Sequence, residues 1–142
     1  MSGLLEGHLA VVTGGASGIG RAIAKGYAEQ GAHVVILDMN LEGAGDVGQE
    51  ILDAGGEAWS FKLDVTDRQQ CRDLANQIAE KIGKTSILVN NAGINRRNAF
   101  TANADNVIQD WEDIIGINLG GVFNVTRSEE HTSELQSQPE LV

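Results

Sequence analysis

The sequence predicts an α/β fold built on a doubly wound parallel sheet, and three observations carry that prediction. Short runs that are apolar at every position recur along residues 1–126, as strands covered on both faces require. Amphipathic stretches of helical length separate these runs. A glycine-rich turn joins the first run to the first amphipathic stretch.

Residues 9–12 (Leu-Ala-Val-Val) form the first buried run, and residues 19–30 read as the helix after the turn. Gly31 closes that helix at the position where helices commonly end on glycine. Residues 34–37 form the second run, closed by Asp38. Residues 41–54 read as a helix weakened by Gly43, Gly45 and Gly48 and stopped by Gly55-Gly56. Residues 58–63 make a third strand, 67–82 a helix, and 87–89 a fourth strand ending in Asn90-Asn91-Ala92-Gly93. From Asp110 onward, Trp111, Ile114, Ile115, Leu119, Val122 and Phe123 recur on one face of a long helix. The pattern amounts to four strand–helix units with no other internal repeat.

A length of 142 residues suits one domain. A composition 42% hydrophobic and 21% charged excludes a wholly disordered chain, and no apolar stretch is long enough to span a bilayer. Ten Lys and Arg against twenty Asp and Glu leave a net charge of −10, which repels phosphate backbones and argues against nucleic acid. The Arg96-Arg97 pair is too small a patch to alter that. One cysteine, Cys71, forms no internal disulfide, and Met1-Ser2-Gly3 opens no signal peptide. A reducing, cytoplasmic setting is the expectation. Cys71 reads as a packing residue, Trp59 and Trp111 as core or interface residues. His8, His33 and His131 lack ligand-like spacing, so no metal site is expected.

Thr13-Gly14-Gly15-Ala16-Ser17-Gly18-Ile19-Gly20 lies between a strand and a helix. Glycines there permit positive φ, let backbone approach a pyrophosphate and let helix and strand pack closely. The helix then points free N–H groups and its positive end at the anion. Asp38 ends the second strand 18 positions after Gly20, the distance at which an acid takes the two ribose hydroxyls of an adenosine. The same carboxylate repels a 2′-phosphate, and no Arg or Lys sits in the turn or directly after Asp38. NAD is therefore expected over NADP.

With these residues in hand, the chain resembles the short-chain dehydrogenase/reductase family from about Gly7 to Thr126. The glycine turn matches the family's Thr-Gly-x-x-x-Gly-x-Gly, and Asn90-Asn91-Ala92-Gly93 its Asn-Asn-Ala-Gly. Asp64-Val65 looks like the adenine-contacting pair, and Asn118 the asparagine that holds a proton-relay water. Thr85 stands where the family usually has Asp. The resemblance implies a Rossmann-like sheet in order 3-2-1-4 that receives NAD. It places Gly14, Ser17, Gly18, Ile19 and Gly20 on the pyrophosphate and adjacent ribose, Asp38 on the adenosine ribose, Asp64 and Val65 on adenine, and Asn91 and Gly93 on the inner face. It also implies hydride transfer between NAD(H) and an alcohol or ketone, in a full-length protein that is a dimer or tetramer.

The family moves its proton with a Tyr-x-x-x-Lys pair on one helical face and polarises the substrate with a serine. The single tyrosine here, Tyr27, has Gly31 four residues later and lies in the first helix. Asn118 is thus the one member of the catalytic set in this chain, which alone is expected to be inactive. Residues 1–126 are expected to form the NAD-binding domain, and 127–142 a foreign or disordered tail. The eleven residues from Arg127 to Ser137 resemble an in-frame translation of a common sequencing adapter. In that case the fourth strand and the long helix lose their expected neighbours, and the chain should be partly unfolded or prone to aggregate. The rival expectation is a naturally short, non-catalytic NAD-binding module. Ile94-Asn95-Arg96-Arg97 is similar to the corresponding stretch of some sugar-acid keto reductases, and arginines there could meet a carboxylate.

Overall fold

A computed structural model describes residues 3–94 and 104–137. Four strands, β1 (Leu9–Thr13), β2 (His33–Asp38), β3 (Ala58–Lys62) and β4 (Ile87–Asn90), alternate with α1 (Gly18–Glu29), α2 (Leu41–Asp53) and α3 (Arg68–Lys81). The sheet is parallel throughout, in the order β3-β2-β1-β4, with Val11 beside both Val35 and Leu88. The doubly wound α/β architecture and its strand order are therefore as the sequence predicts.

Strand residues alternate between two cores, because successive side chains of a strand point to opposite faces. Val11, Val35 and Leu37 join Leu63, Leu74, Ile78 and Val125 on the face covered by α3 and the C-terminal helix. Val12, Val34 and Ile36 join Ala24, Val47 and Ile51 on the face covered by α1 and α2. Both faces being dry explains why the strand runs carry no polar alternation. Trp59 is half-buried against the first core, and Cys71 is buried within it.

The predicted long helix runs without a break from Ala104 to Ser137, but it is not α-helical throughout. It consists of α4 (Ala104–Ile115), a π turn (Gly116–Gly121) and α5 (Val122–Ser137). Gly121 supplies a physical reason. A Cβ at that position would lie 2.5 Å from Val65 Cγ2, so glycine brings the backbone directly onto Val65 in the loop after β3. Asn124, one turn on and buried, donates its amide to the Val65 carbonyl at 3.0 Å. The extra residue of the π turn lets both contacts form at once. Trp111 is exposed in this chain, as are Ile108, Leu119 and Phe123.

The helix runs on through residues 127–137, the stretch expected to be foreign or disordered. Its helical course describes its conformation and leaves its origin open. Residues 138–142 lie outside the described residues. No described helix is long and apolar enough to cross a membrane.

Candidate functional site

The chain runs outward from β1 through β2 to β3, then crosses to β4 on the other side of β1. Such a reversal opens a crevice at the carboxyl ends of the strands, the usual ligand position in open α/β sheets. The glycine turn, Asp38, Asp64 and Asn90-Asn91-Ala92-Gly93 all follow those strand ends.

Thr13 holds the crevice together. Its buried hydroxyl accepts the N–H groups of Asn91 and Ala92, both at 3.0 Å. Asn91 in turn donates its side-chain amide to the Gly14 carbonyl at 3.0 Å. Gly20 lies against the same junction, where a Cβ would fall 2.2 Å from the Gly14 oxygen and 2.4 Å from Asn91 Nδ2. Two of the motif's glycines, Gly14 and Gly18, have positive φ. Space in front of Gly18 is open, and the Ile19 side chain is 73% exposed.

Helix N-termini differ around this site. Asn40 caps α2 by accepting the Gly43 N–H, and Asp67 caps α3 by accepting that of Gln70. Ser17, at the start of α1, makes no side-chain cap, and the first turn of α1 carries no acid. The first N–H groups of α1 thus lack a side-chain acceptor, at a turn whose side chains leave room for one.

Asp38 extends from the tip of β2 and accepts the Ala16 N–H at 3.0 Å and the Asn40 N–H at 2.9 Å, one on each carboxylate oxygen. Each oxygen keeps a second lone pair for a ligand hydroxyl. Asp64 accepts both the N–H and the hydroxyl of Thr66 on Oδ1. Val65 is buried against Gly121, so its side chain faces inward and contributes to the π turn's seat. An adenine contact at this pair would come from Asp64 and the main chain.

Asn118 sits in the π turn, and its side chain pairs with the backbone of Ile94. Oδ1 accepts the Ile94 N–H at 2.8 Å and Nδ2 donates to the Ile94 carbonyl at 2.9 Å. One amide hydrogen and one lone pair are left over for water. Gly93 fits beneath, its would-be Cβ 3.1 Å from Asn118 Oδ1. Asn95, Arg96 and Arg97 lie outside the described residues.

Thr13, Asn40 and Asn124 are site-building residues that the sequence reasoning passed over. Thr13 heads the glycine motif and Asn40 stands directly before the predicted helix as an N-cap residue would, both usable signals, whereas Asn124 has none beyond being polar. Thr85, at the foot of β4, hydrogen-bonds the Glu129 side chain. Cys71 is buried behind the Asp64-Val65 pair, its Sγ 3.8 Å from the Val65 carbonyl. Burial, reinforced by the carboxylates of Asp67 and Asp64, pushes its thiol up to about 11. Among the described residues, no group of three or more His, Cys, Asp or Glu could hold a metal.

A glycine turn, an uncapped helix and a strand-end acid meeting at a switch point define a dinucleotide-binding α/β domain. The profile of the short-chain dehydrogenase family matches residues 8–134, and the chain belongs to that family. It is 37% identical over 123 residues to the 3-oxoacyl-[acyl-carrier-protein] reductase of Thermotoga maritima, covering 87% of this chain and 49% of that protein. It is 40% identical over 120 residues to the D-threitol dehydrogenase of Mycolicibacterium smegmatis, covering 84% and 45%. A gluconate 5-dehydrogenase from Burkholderia cenocepacia, solved with NADP and tartrate, superposes with a TM-score of 0.83 at 36% identity, over 93% of this chain and 51% of that one. The chain therefore spans about half the length of the relatives it matches.

Proposed function

We propose that this chain is the cofactor-binding part of an NAD-dependent short-chain dehydrogenase/reductase acting on alcohol or ketone groups. The observation that carries the reading is the start of α1, left without a side-chain cap behind a glycine turn with open space before Gly18. Gly14, Ser17, Gly18, Ile19 and Gly20 would receive the pyrophosphate and adjacent ribose, and Asp38 the adenosine ribose. Asp64 and Val65 would border the adenine, and Asn91 and Gly93 the inner face. When bound, the nicotinamide cofactor carries the hydride. The chain's own residues bind and orient it: Thr13 and Asn91 hold the turn, and Asn118 straps Ile94 and offers its remaining amide positions to a relay water.

Fluorescence titration with NADH tests this reading. Saturable binding by folded chain is expected, and folded chain that binds none would overturn it. Turnover of any alcohol or ketone is not expected of these 142 residues, which contain no Tyr-x-x-x-Lys.

NAD is favoured over NADP because the Asp38 carboxylate, bonded to the glycine turn through the Ala16 N–H, would repel a 2′-phosphate on the ribose, and the next two residues, Met39 and Asn40, are uncharged. The NADP in the Burkholderia relative favours the second reading. Parallel titrations decide between them: NADH should bind tighter than NADPH, and Asp38→Asn should narrow the gap. For the whole protein, a sugar acid is the substrate class we favour, supported by the Ile94-Asn95-Arg96-Arg97 stretch and the gluconate 5-dehydrogenase relative.

A further inference from the structure

Away from the crevice, α3 and α5 enclose a groove of about 510 Å³ lined by Arg68, Arg72, Phe123, Asn124 and Arg127, with Glu130 among its lining residues. Three of the chain's ten lysines and arginines therefore meet in one place, in a protein of net charge −10. The ion pairs among the described residues lie elsewhere, where Arg21 and Lys25 share Glu50. None of the three groove arginines has an acidic partner within ion-pair distance among the described residues.

Arg68 is fixed in place. Its Nε donates to Asn124 Oδ1 at 3.2 Å, and its guanidinium lies 6.0 Å from the centre of the Phe123 ring. Asn124 is itself buried and tied to the Val65 carbonyl. These bonds occupy Nε and leave the two terminal NH₂ groups for an acceptor. Arg72 follows one turn later on the same face of α3, and Arg127 comes from α5. Arg68 and Arg72 also stand in the first two turns of α3, at the helix end where the dipole disfavours cations and welcomes anions. A charge arrangement unfavourable to the chain alone becomes favourable once an anion neutralises it.

The geometry points to a binding site for a small multivalent oxyanion, such as a phosphorylated metabolite, in the α3–α5 groove and separate from the dinucleotide crevice. Forked guanidinium donors suit phosphate oxygens in pairs, and more than one arginine selects for more than one negative charge. Arg127 is the first residue of the adapter-like segment, so the test is placed on Arg68 and Arg72.

The probe is inorganic pyrophosphate, titrated at low ionic strength into the isotopically labelled chain while the arginine Nε–Hε NMR signals are followed. The Arg68 and Arg72 signals should shift saturably, and Arg72→Gln should weaken the binding that moves the Arg68 signal about tenfold. Acetate at equal ionic strength should move neither. Arg72 is exposed, so its substitution leaves the core intact, and dispersed amide signals verify that. Arg68→Gln, read on Arg72, is the second variant and should weaken binding likewise. Saturation of the glycine-turn amides alone would overturn the proposal, as would an acetate response equal to that of pyrophosphate or an unchanged dissociation constant in both variants.

Discussion

The side-chain amide of Asn118 and the peptide of Ile94 hold one another at both ends, N–H to Oδ1 at 2.8 Å and Nδ2 to carbonyl at 2.9 Å. A side-chain amide has the donor and acceptor of a strand residue, so this pair works as a one-residue ladder between the β4 exit and the π turn. Asn118→Leu keeps the volume and removes both bonds. Hydrogen bonds of this kind contribute about 1 kcal/mol each. The Ile94 amide should therefore exchange at least about tenfold faster in the variant, with thermal stability falling only modestly because the site is exposed. Unchanged exchange at Ile94 would mean that the strap holds nothing.

Thr13 serves the other side of the crevice, and Thr13→Val is its sharpest test. Valine matches the shape, yet leaves the N–H groups of Asn91 and Ala92 without their shared acceptor. Stranding such donors costs about 1–3 kcal/mol. Urea denaturation should show that loss, and NADH affinity should fall with it because Asn91 then loses its register on Gly14. A variant as stable as the parent would show that water satisfies both donors.

Gly18→Ala and Gly20→Ala should fail in different ways. Gly20 faces the Gly14 oxygen and Asn91 Nδ2 at distances no Cβ tolerates, so its substitution must displace the turn and lower both stability and binding. Gly18 has open space ahead of it and a φ of +57°, a left-handed conformation that costs a non-glycine residue about 1–2 kcal/mol. Its methyl would enter the space assigned to phosphate. Binding should therefore drop further than stability does. Circular dichroism melts beside NADH titrations separate the two patterns.

What was legible in the sequence follows from how local the signal is. The four strands announce themselves because both faces of the sheet are dry, so Val11, Val12, Val34, Val35, Ile36 and Leu37 need no polar alternation. The glycine turn is legible from its own spacing between a strand and a helix, even though only Gly20 answers to an atom of the motif, the Gly14 carbonyl, while Gly14 answers to Asn91 and Ala92 far along the chain. The π turn is not local. It depends on Gly121 meeting Val65 and on Asn124 reaching the Val65 carbonyl, contacts across more than fifty residues. The apolar period through Ile115, Leu119 and Phe123 carries no mark of it. Val65 likewise reads as a ligand residue by motif, while its side chain is buried beneath that turn. The groove arginines are four apart on α3, but their meeting with Arg127 is set by helix packing alone.

Cys71 provides a probe of folding. Its thiol is buried, and desolvation, with the nearby charges of Asp67 and Asp64, pushes it up to about 11. The thiolate is the reactive form, so at pH 8 the native thiol should resist alkylation almost completely. Labelling should instead follow the rate or population of opening, and accelerate sharply in urea. Prompt modification of native chain would show that α3 does not stay docked on the sheet.

Glu129 makes the C-terminal helix pH-sensitive. It is 9% exposed on α5, with the Thr85 side chain as hydrogen-bond partner, and burial raises its pKa above the ordinary 4.5. The folded state then binds the proton more tightly than the unfolded state does. The contribution of Glu129 to stability is accordingly most favourable below 4.5, falls as pH rises from there through the raised value, and stays lower above it. Glu129→Gln removes the titration while keeping a partner for Thr85, and should raise the melting temperature at pH 7 and flatten its slope over that window. Glu129→Leu should raise it at neutral pH too, since the position lies next to the core residue Val125 along α5. Melting curves of the three chains at pH 4 and pH 7 check the sign. A parent chain that gains stability with rising pH, relative to Glu129→Gln, would show that the carboxylate is solvated and this end of α5 is not packed on β4.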